Sequence, residues 1–200
     1  MNLHIPVSFG EAIDKLSILQ IKCENITDSH KLVVEKEYNL LFSILKDFVD
    51  KYSELYKSML QTNRVIWDQM DVLRDYVISD SEYTKLSMDC IITNDIRFRI
   101  KNKINLISNS DLKEQKSYKI RRFDIRIEVD GDDFEMFIGP IRQLSYIYDE
   151  ILIISSKDLG RIRDAFHYDN TIKYTTPTDI ECMGPIFYDT RDISTRLGLY

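Results

Sequence analysis

The sequence predicts an α+β chain in two parts: an N-terminal helical bundle or long helical hairpin over residues 1–118, and a small three-stranded parallel α/β unit with an irregular tail over 119–200. Three observations support this. Neither glycine nor proline occurs from Lys31 to Ile78, and the apolar residues there keep a helical period. After Lys116 the period changes to the two-residue alternation of a strand. Patterns for strand, helix, strand, helix and strand then follow within about 55 residues, which is typical of βαβ crossovers.

Two capping-box spacings, Ser8–Glu11 and Ser79–Glu82, predict helix starts in the N-terminal part. In each, the serine hydroxyl and the glutamate carboxylate can accept from one another's backbone NH groups. The first helix is expected to run to about Ile26, and the helix that starts at Ser79 is expected to end near Ser108–Ser110.

The segment between these helices is too long for one straight helix in a compact domain. A single piece would extend about 70 Å at 1.5 Å per residue, so a break is expected between Asp50 and Thr62. Its apolar residues reach further than a small α/β unit can cover, which predicts a homodimer through the long helices. The residues on which this prediction rests are Leu41, Leu45, Phe48, Tyr52, Leu55 and Met59.

The C-terminal part alternates short apolar strands with amphipathic segments. The predicted elements are a strand over 123–129, a helix over 137–148 with Pro140 in its first turn, a strand over 151–154, a helix over 158–166 and a strand over 171–175. Three parallel strands joined in this way make half of a Rossmann-like fold.

Composition limits the classes of function. The net charge of −6 argues against a protein that coats nucleic acid or an anionic membrane with its whole surface. No apolar run approaches the roughly 20 residues of a membrane span, and Met1–Pro6 lacks a secretory pattern, so a cytoplasmic location is expected. Three cysteines and three histidines are scattered without ligand spacing, so neither a metal site nor a cofactor is predicted.

Basic residues concentrate between Asn94 and Arg126, where ten Lys or Arg stand against four Asp or Glu. Within this segment one helical stripe carries two cations flanked by two amides: Asn94, Arg97, Lys101 and Asn105. Such a stripe can hold a phosphate or carboxylate through charge-assisted hydrogen bonds. The alternative is a solvated face that pairs with the acidic remainder of the chain. A binding role requires the two cations to converge with Lys116 and Ser117 beyond the turn at Ser108–Ser110.

Four segments in order carry a resemblance: Ser8–Lys22, Leu55–Arg74, Asn94–Asn105 and Leu112–Tyr118. Together they resemble the motifs of an uncharacterised bacterial and viral helical domain that often accompanies sugar-transfer enzymes of surface-polysaccharide loci. The resemblance covers residues 5–120 and brings no known activity. It implies a pattern of polar residues: Glu11, Asp14, Lys15, Asn63, Trp67, Asp71, Arg74, Asn94, Asp95, Arg97, Lys101, Asn105, Glu114, Lys116, Ser117 and Tyr118. For Trp67, Asp71 and Arg74 the alternative is structural, an aromatic anchor beside an ion pair.

The segments Gly131–Phe134, Gly139–Arg142 and Tyr148–Ile151 are similar to the first βαβ unit of the heptosyltransferase-like glycosyltransferases. The resemblance implies that Asp132 is the catalytic carboxylate that activates the acceptor hydroxyl, and that Arg142 on the following helix binds ligand. The alternative is a turn glycine followed by an aspartate that caps a helix.

The function expected from these patterns is a glycosyltransferase-related accessory or binding protein of glycan or polysaccharide assembly, with a glycosyltransferase as partner. Its ligand would be anionic, such as a nucleotide sugar or sugar phosphate, bound by Lys15, the stripe, Lys116, Ser117, Tyr118 and Arg142. Two alternatives stay open: an active sugar transferase that needs a partner lobe, and a nucleic-acid contact through Asn94–Arg126. Aromatic residues for base stacking are sparse in that segment, which disfavours nucleic acid.

Overall fold

The computed structural model describes residues 4–74, 77–116, 120–128, 135–177 and 186–187. It confirms the predicted fold class, with long helices first and a small parallel sheet with its own helices afterwards. The chain divides into two compact units, Met1–Gln115 and Lys116–Tyr200.

The first unit is helical. Its helices within the described ranges are α1 (Phe9–Asn25), α2 (Lys31–Lys51), α3 (Ser53–Arg74) and α4 (Asp80–Ile107). α1 packs against the other three helices, and α3 packs along α4. α1 is therefore the central element of this unit.

Both predicted serine caps are present, but only one forms the complete box. Ser79 Oγ accepts from Glu82 N, and Ser79 N donates to the Glu82 carboxylate at 3.1 Å. Ser8 Oγ accepts from Glu11 N at 3.1 Å. The Glu11 carboxylate pairs instead with Lys101 of α4. A tertiary ion pair thus takes the place of half of the first capping box.

The long apolar segment breaks at Tyr52, inside the predicted interval. Tyr52 has φ −120° and ψ 45°, which is not helical, and it separates α2 from α3. Its NH still donates to Phe48 O at 2.9 Å, and its carbonyl accepts from Leu55 N and Tyr56 N. One residue therefore ends the first helix and supplies the first acceptor of the next.

Gly10 marks the closest approach of two helices. A Cβ at this position would lie 2.5 Å from the carbonyl oxygen of Lys101 and 2.9 Å from Asn105 Oδ1. The Gly10 NH donates to that same Asn105 oxygen at 2.7 Å. Only glycine lets the backbones of α1 and α4 lie this close, so Gly10 sets the depth of their packing.

The apolar residues that predicted a dimer belong mostly to the core of this unit. Leu45, Phe48, Leu55 and Met59 are buried beside Ile13, Leu16, Ile100 and Ile104. For these four residues, the argument that a second copy must cover them is wrong, because they are already buried in the single chain. A homodimer remains a prediction without that support.

The second unit contains β1 (Arg122–Ile127), α5 (Glu135–Ile147), β2 (Glu150–Ile154), α6 (Gly160–Ala165), β3 (Ile172–Thr175) and β4 (Ile186–Phe187). The strands are parallel in the order β3-β2-β1-β4. Phe137, Ile141 and Leu144 of α5 pack with buried isoleucines of the strands. This apolar core joins the helices to the sheet.

Two details of the second unit differ from the predictions. Pro140 lies inside α5, beyond the first turn, because the helix is already formed at Glu135. The segment expected to be an irregular tail contributes β4, which pairs with β1 at Arg126 and Ile127. Two apolar residues are too few to show a strand period in a sequence.

Among the helices described, none combines the length and hydropathy needed to cross a membrane.

Candidate functional site

The predicted stripe on α4 lies mostly inside the helical unit. Asn94, at its start, is exposed, but Lys101 and Asn105 are buried against α1. Arg97 is half-buried between these two ends. The stripe is therefore not a continuous solvated face.

Arg97 is held by a buried carboxylate. Its Nε donates to Asp14 Oδ1 at 2.8 Å and its Nη2 to Asp14 Oδ2 at 2.5 Å, which makes a bidentate pair between α4 and α1. Asn63 of α3 donates to Asp14 Oδ1 at 2.9 Å and to Ser17 Oγ at 2.7 Å. Hydrogen bonds to Asp14 raise the pKa of Arg97 above its ordinary value, against the opposing effect of burial. The guanidinium is thus charged and fixed in orientation.

Lys101 and Asn105 are occupied by contacts within the unit. Lys101 Nζ lies 3.2 Å from Glu11 Oε1 and also pairs with Glu114. Asn105 Oδ1 accepts from Gly10 N, while its Nδ2 is buried with no hydrogen-bond partner in the part of the chain that is described. Both side chains therefore hold helices together, and Arg97 is the cation of the stripe that is placed to meet a ligand.

Of the other predicted site residues, Lys15 is the one that lies in the described part of the helical unit. Lys15 of α1 pairs with Glu37 of α2 at 2.7 Å, and both side chains are exposed. Lys116 and Arg142 belong to the second unit, where the Arg142 guanidinium lies 5.9 Å from the centre of the Phe166 ring. Ser117, Tyr118 and Asp132 lie outside the described residues, and so does the predicted convergence on Ser117.

A concave surface lies beside Arg97, between α1 and α3. This hollow, called the cationic hollow below, has a volume of about 350 Å³. Its lining residues come from three of the four segments that carry the family resemblance: Ile18, Ile21, Lys22, Asn63, Ile66, Trp67, Met70, Arg74 and Arg97. Apolar walls with a few convergent polar groups are the usual composition of a small-molecule site.

The charge of the cationic hollow has one sign. Lys22, Arg74 and Arg97 line it, and among the described residues no carboxylate does. Arg74 forms an exposed pair with Asp71 at 3.0 Å, and Asp14 lies behind Arg97 as its buried support. The hollow can therefore receive an anion, because neither Asp14 nor Asp71 belongs to its lining.

A second hollow of about 210 Å³ adjoins the first and shares Ile21 and Trp67 with it. This polar hollow is also lined by Glu24, Asn25, Arg64 and Asp68. Arg64 Nη2 donates to both oxygens of Glu24 at 2.9 Å. Burial raises the pKa of Glu24, but hydrogen bonds from Gln20 and Arg64 outweigh it, so the pKa is lower than usual.

Sequence reasoning missed Lys22 as a lining residue and gave Trp67 and Arg74 a structural alternative. The pattern that could have found them is helical: Asn63, Ile66, Trp67, Met70 and Arg74 follow one stripe of α3. A stripe that mixes tryptophan, amide and cation is more polar than the core face of the same helix. The partner stripe on α1 could not be assigned without knowing which helices pack together.

Comparison of the chain with protein-family models, with curated proteins and with solved structures finds no match. Within the described ranges, no group of three or more His, Cys, Asp or Glu side chains could hold a metal ion.

Proposed function

We propose that this chain is a binding module of glycan assembly whose helical unit takes a small anionic ligand in the cationic hollow between α1 and α3. The observation that carries the proposal is the lining itself: three cations and a tryptophan on apolar walls, with no carboxylate among the lining residues that the structure describes. The association with sugar-transfer enzymes is supported by the resemblance of the four N-terminal segments, three of which supply the lining.

The hydrogen bonds that hold Arg97 in place favour a binding role for it over a purely structural one. Arg97 is oriented by a bidentate bond to a carboxylate that is 3% exposed, and that carboxylate is itself held by Asn63. Little side-chain freedom is then lost when Arg97 binds an anion, because the guanidinium is already in place. Lys22 has no ion pair within the described ranges and can turn its ammonium toward the ligand.

A nucleic-acid role for Asn94–Arg126 is less consistent with the structure. Arg99, Lys101 and Lys103 of α4 are all buried, so they cannot follow a phosphate backbone. A contact with nucleic acid needs cations that lie along an open surface.

The test is ligand titration of the full chain. Trp67 is the single tryptophan and lines the hollow, so its fluorescence reports directly on occupancy. We expect phosphate-bearing compounds, presented as inorganic phosphate, sugar 1-phosphates and nucleotide sugars, to change this fluorescence and raise the melting temperature. Lys22→Gln should weaken binding about tenfold or more, since a charge-assisted hydrogen bond contributes about 1.5–3 kcal/mol.

The matched control is Lys36→Gln, which removes the same charge from an exposed position of α2. It should change affinity by less than about twofold, as a screened charge away from the site. The proposal fails if no phosphate compound alters Trp67 fluorescence, or if the two glutamine variants bind equally well.

A second candidate, sugar transfer by the α/β unit, is favoured by its strand order. In β3-β2-β1-β4 the direction of winding reverses between β1 and β4, and ligands of parallel sheets bind beyond the carboxyl ends of the strands at such a point. The segment that follows β1 contains Asp132. Transfer or hydrolysis of a nucleotide sugar that is lost in Asp132→Asn would establish this candidate, and equal rates in both proteins would exclude the role of Asp132.

A further inference from the structure

The two hollows of the helical unit are neighbours that share two lining residues. Trp67 of α3 and Ile21 of α1 line both, so a molecule that reaches past the indole can occupy the two hollows together. Ile21 is buried and Trp67 is half-buried, which leaves part of the indole uncovered. The combined volume of the hollows lies in the range of small-molecule sites.

The two ends of this surface differ in chemistry. The cationic hollow offers Lys22, Arg74 and Arg97, which suit a phosphate or carboxylate. The polar hollow offers carboxylates at Glu24 and Asp68 beside donors at Asn25 and Arg64. The carboxylates of the polar hollow would repel a ligand that carried only anionic groups. We therefore expect a ligand with an anionic group at one end and an uncharged polar group at the other.

The polar hollow suits a polyhydroxylated group. A hydroxyl both donates and accepts, so it can donate to Asp68 or Glu24 and accept from Asn25 or Arg64. The C–H face of a sugar ring is apolar and can lie on the uncovered indole, which buries apolar area on both partners. A mixture of carboxylates, amide and guanidinium around an aromatic wall therefore matches a sugar better than a second phosphate.

We infer that the two hollows form a single site for a phosphorylated sugar, with the phosphate or diphosphate in the cationic hollow, the sugar ring against Trp67 and its hydroxyls in the polar hollow. This inference rests on the proposed anion binding and adds the identity of the group joined to the anion. Free sugar 1-phosphates and nucleotide sugars both carry a phosphate on the anomeric carbon of the sugar. Both therefore combine the anionic group and the hydroxylated ring that the site would bind.

Asp68 is the residue that tests the polar hollow. It is exposed and has no ion pair within the described residues, so Asp68→Asn removes an acceptor charge without disturbing the fold. Glu24 is less suitable, because its bonds to Arg64 also hold α1 to α3. The matched control is Asp47→Asn on the exposed side of α2.

The experiment titrates the full chain with inorganic phosphate, with the 1-phosphates of glucose, galactose, mannose and N-acetylglucosamine, with a nucleotide sugar and with uridine monophosphate. At least one sugar phosphate should bind about tenfold tighter than inorganic phosphate, equivalent to about 1.4 kcal/mol. Asp68→Asn should weaken that sugar phosphate about fivefold or more and leave inorganic phosphate within about twofold, whereas Asp47→Asn should change neither. A nucleotide sugar that binds tighter than the free sugar phosphate and responds equally to Asp68→Asn identifies the diphosphate form.

Three outcomes would overturn the inference while leaving the proposed anion binding intact. Sugar phosphates could bind no tighter than inorganic phosphate, Asp68→Asn could leave every affinity unchanged, or uridine monophosphate could bind tightest of all. Failure of every phosphate compound to bind, with Lys22→Gln indistinguishable from the parent, would instead remove the proposed function and the inference together.

Discussion

The two compact units fill their interiors with different kinds of residue. The second unit buries a cluster of aliphatic and aromatic side chains, and Asp169 is the one charged side chain buried among its described residues. The helical unit buries Asp14, Arg99, Lys101 and Lys103 together with several amides and hydroxyls. A sheet sets its own register through backbone hydrogen bonds, but packed helices can slide past one another. Our hypothesis is that the ion pair between the buried Asp14 and the half-buried Arg97 fixes the register of α1 on α4.

The largest effect that would test this comparison is expected at Asp14. Asp14→Ala leaves Arg97 half-buried without its carboxylate and removes an acceptor from Asn63, so the free energy of unfolding should fall by about 3–5 kcal/mol. Denaturant unfolding followed by Trp67 fluorescence measures the helical unit specifically, since the chain has no other tryptophan.

The control for this prediction is Asp50→Ala, which breaks an exposed i, i+4 pair with Lys46 in the same unit. That loss should be at most about 0.5 kcal/mol. Equal losses of unfolding free energy in the two variants would show that the Asp14–Arg97 pair stabilises the unit no more than an exposed pair does. The proposed contrast between the interiors of the two units would then be wrong.

A smaller effect is expected from adding a side chain at Gly10, where α1 and α4 are in close contact. Gly10→Ala places a methyl group 2.5 Å from a backbone oxygen of α4, so the two helices must move apart. The free energy of unfolding should therefore fall by about 1–3 kcal/mol. Trp67 fluorescence again follows the transition.

Gly139→Ala on α5 is the matched substitution in the second unit, where an added Cβ meets nothing within 4 Å. Its stability should change by less than about 1 kcal/mol, since only helix propensity is involved. A cost at Gly139 as large as that at Gly10 would mean that glycine loss, and not close packing, determines both results.

Local features of the fold could be predicted from the sequence because they depend on neighbouring residues. The serine caps at Ser8 and Ser79, the break at Tyr52 and the strand over Ile151–Ile154 all follow from spacing or from chain length. Pro140 was misplaced because the extent of α5 depends on tertiary packing, which outweighs the preference of proline for a first turn.

The site was harder to predict because its contacts join distant parts of the chain. Asp14 and Arg97 are 83 positions apart. Pairing of the basic stripe with acidic residues was an open alternative, but spacing along the chain could not predict that the acids would be those of α1 or that the pairs would be turned inward. The need for glycine at position 10 likewise depends on how α4 crosses α1. Trp67 and Arg74 were recognised as a motif, but the hollow they line becomes visible only when α1 and α3 are packed together.

The smallest effect is expected at Tyr174 of β3, in the second unit. Its hydroxyl is buried and has no hydrogen-bond partner in the described part of the chain. Burial raises the pKa of Tyr174 to about 12. Because this pKa is higher in the folded chain than in the unfolded one, the stabilising contribution of the neutral phenol is complete below about pH 10 and is lost as the pH rises through about 12.

Tyr174→Phe keeps the ring beneath the Arg163 guanidinium, 4.9 Å from its centre, and removes the ionisable group. At pH 7 the variant should be as stable as the parent within about 0.5 kcal/mol, since no hydrogen bond is broken. Between pH 10 and 12 the parent should lose stability relative to the variant, as measured by denaturant unfolding with circular dichroism. Tyr83→Phe, at an exposed position of α4, should follow the parent throughout. A marked loss in Tyr174→Phe at pH 7 would instead reveal a partner for this hydroxyl, and the interior of the second unit would then depend on polar contacts as the helical unit does.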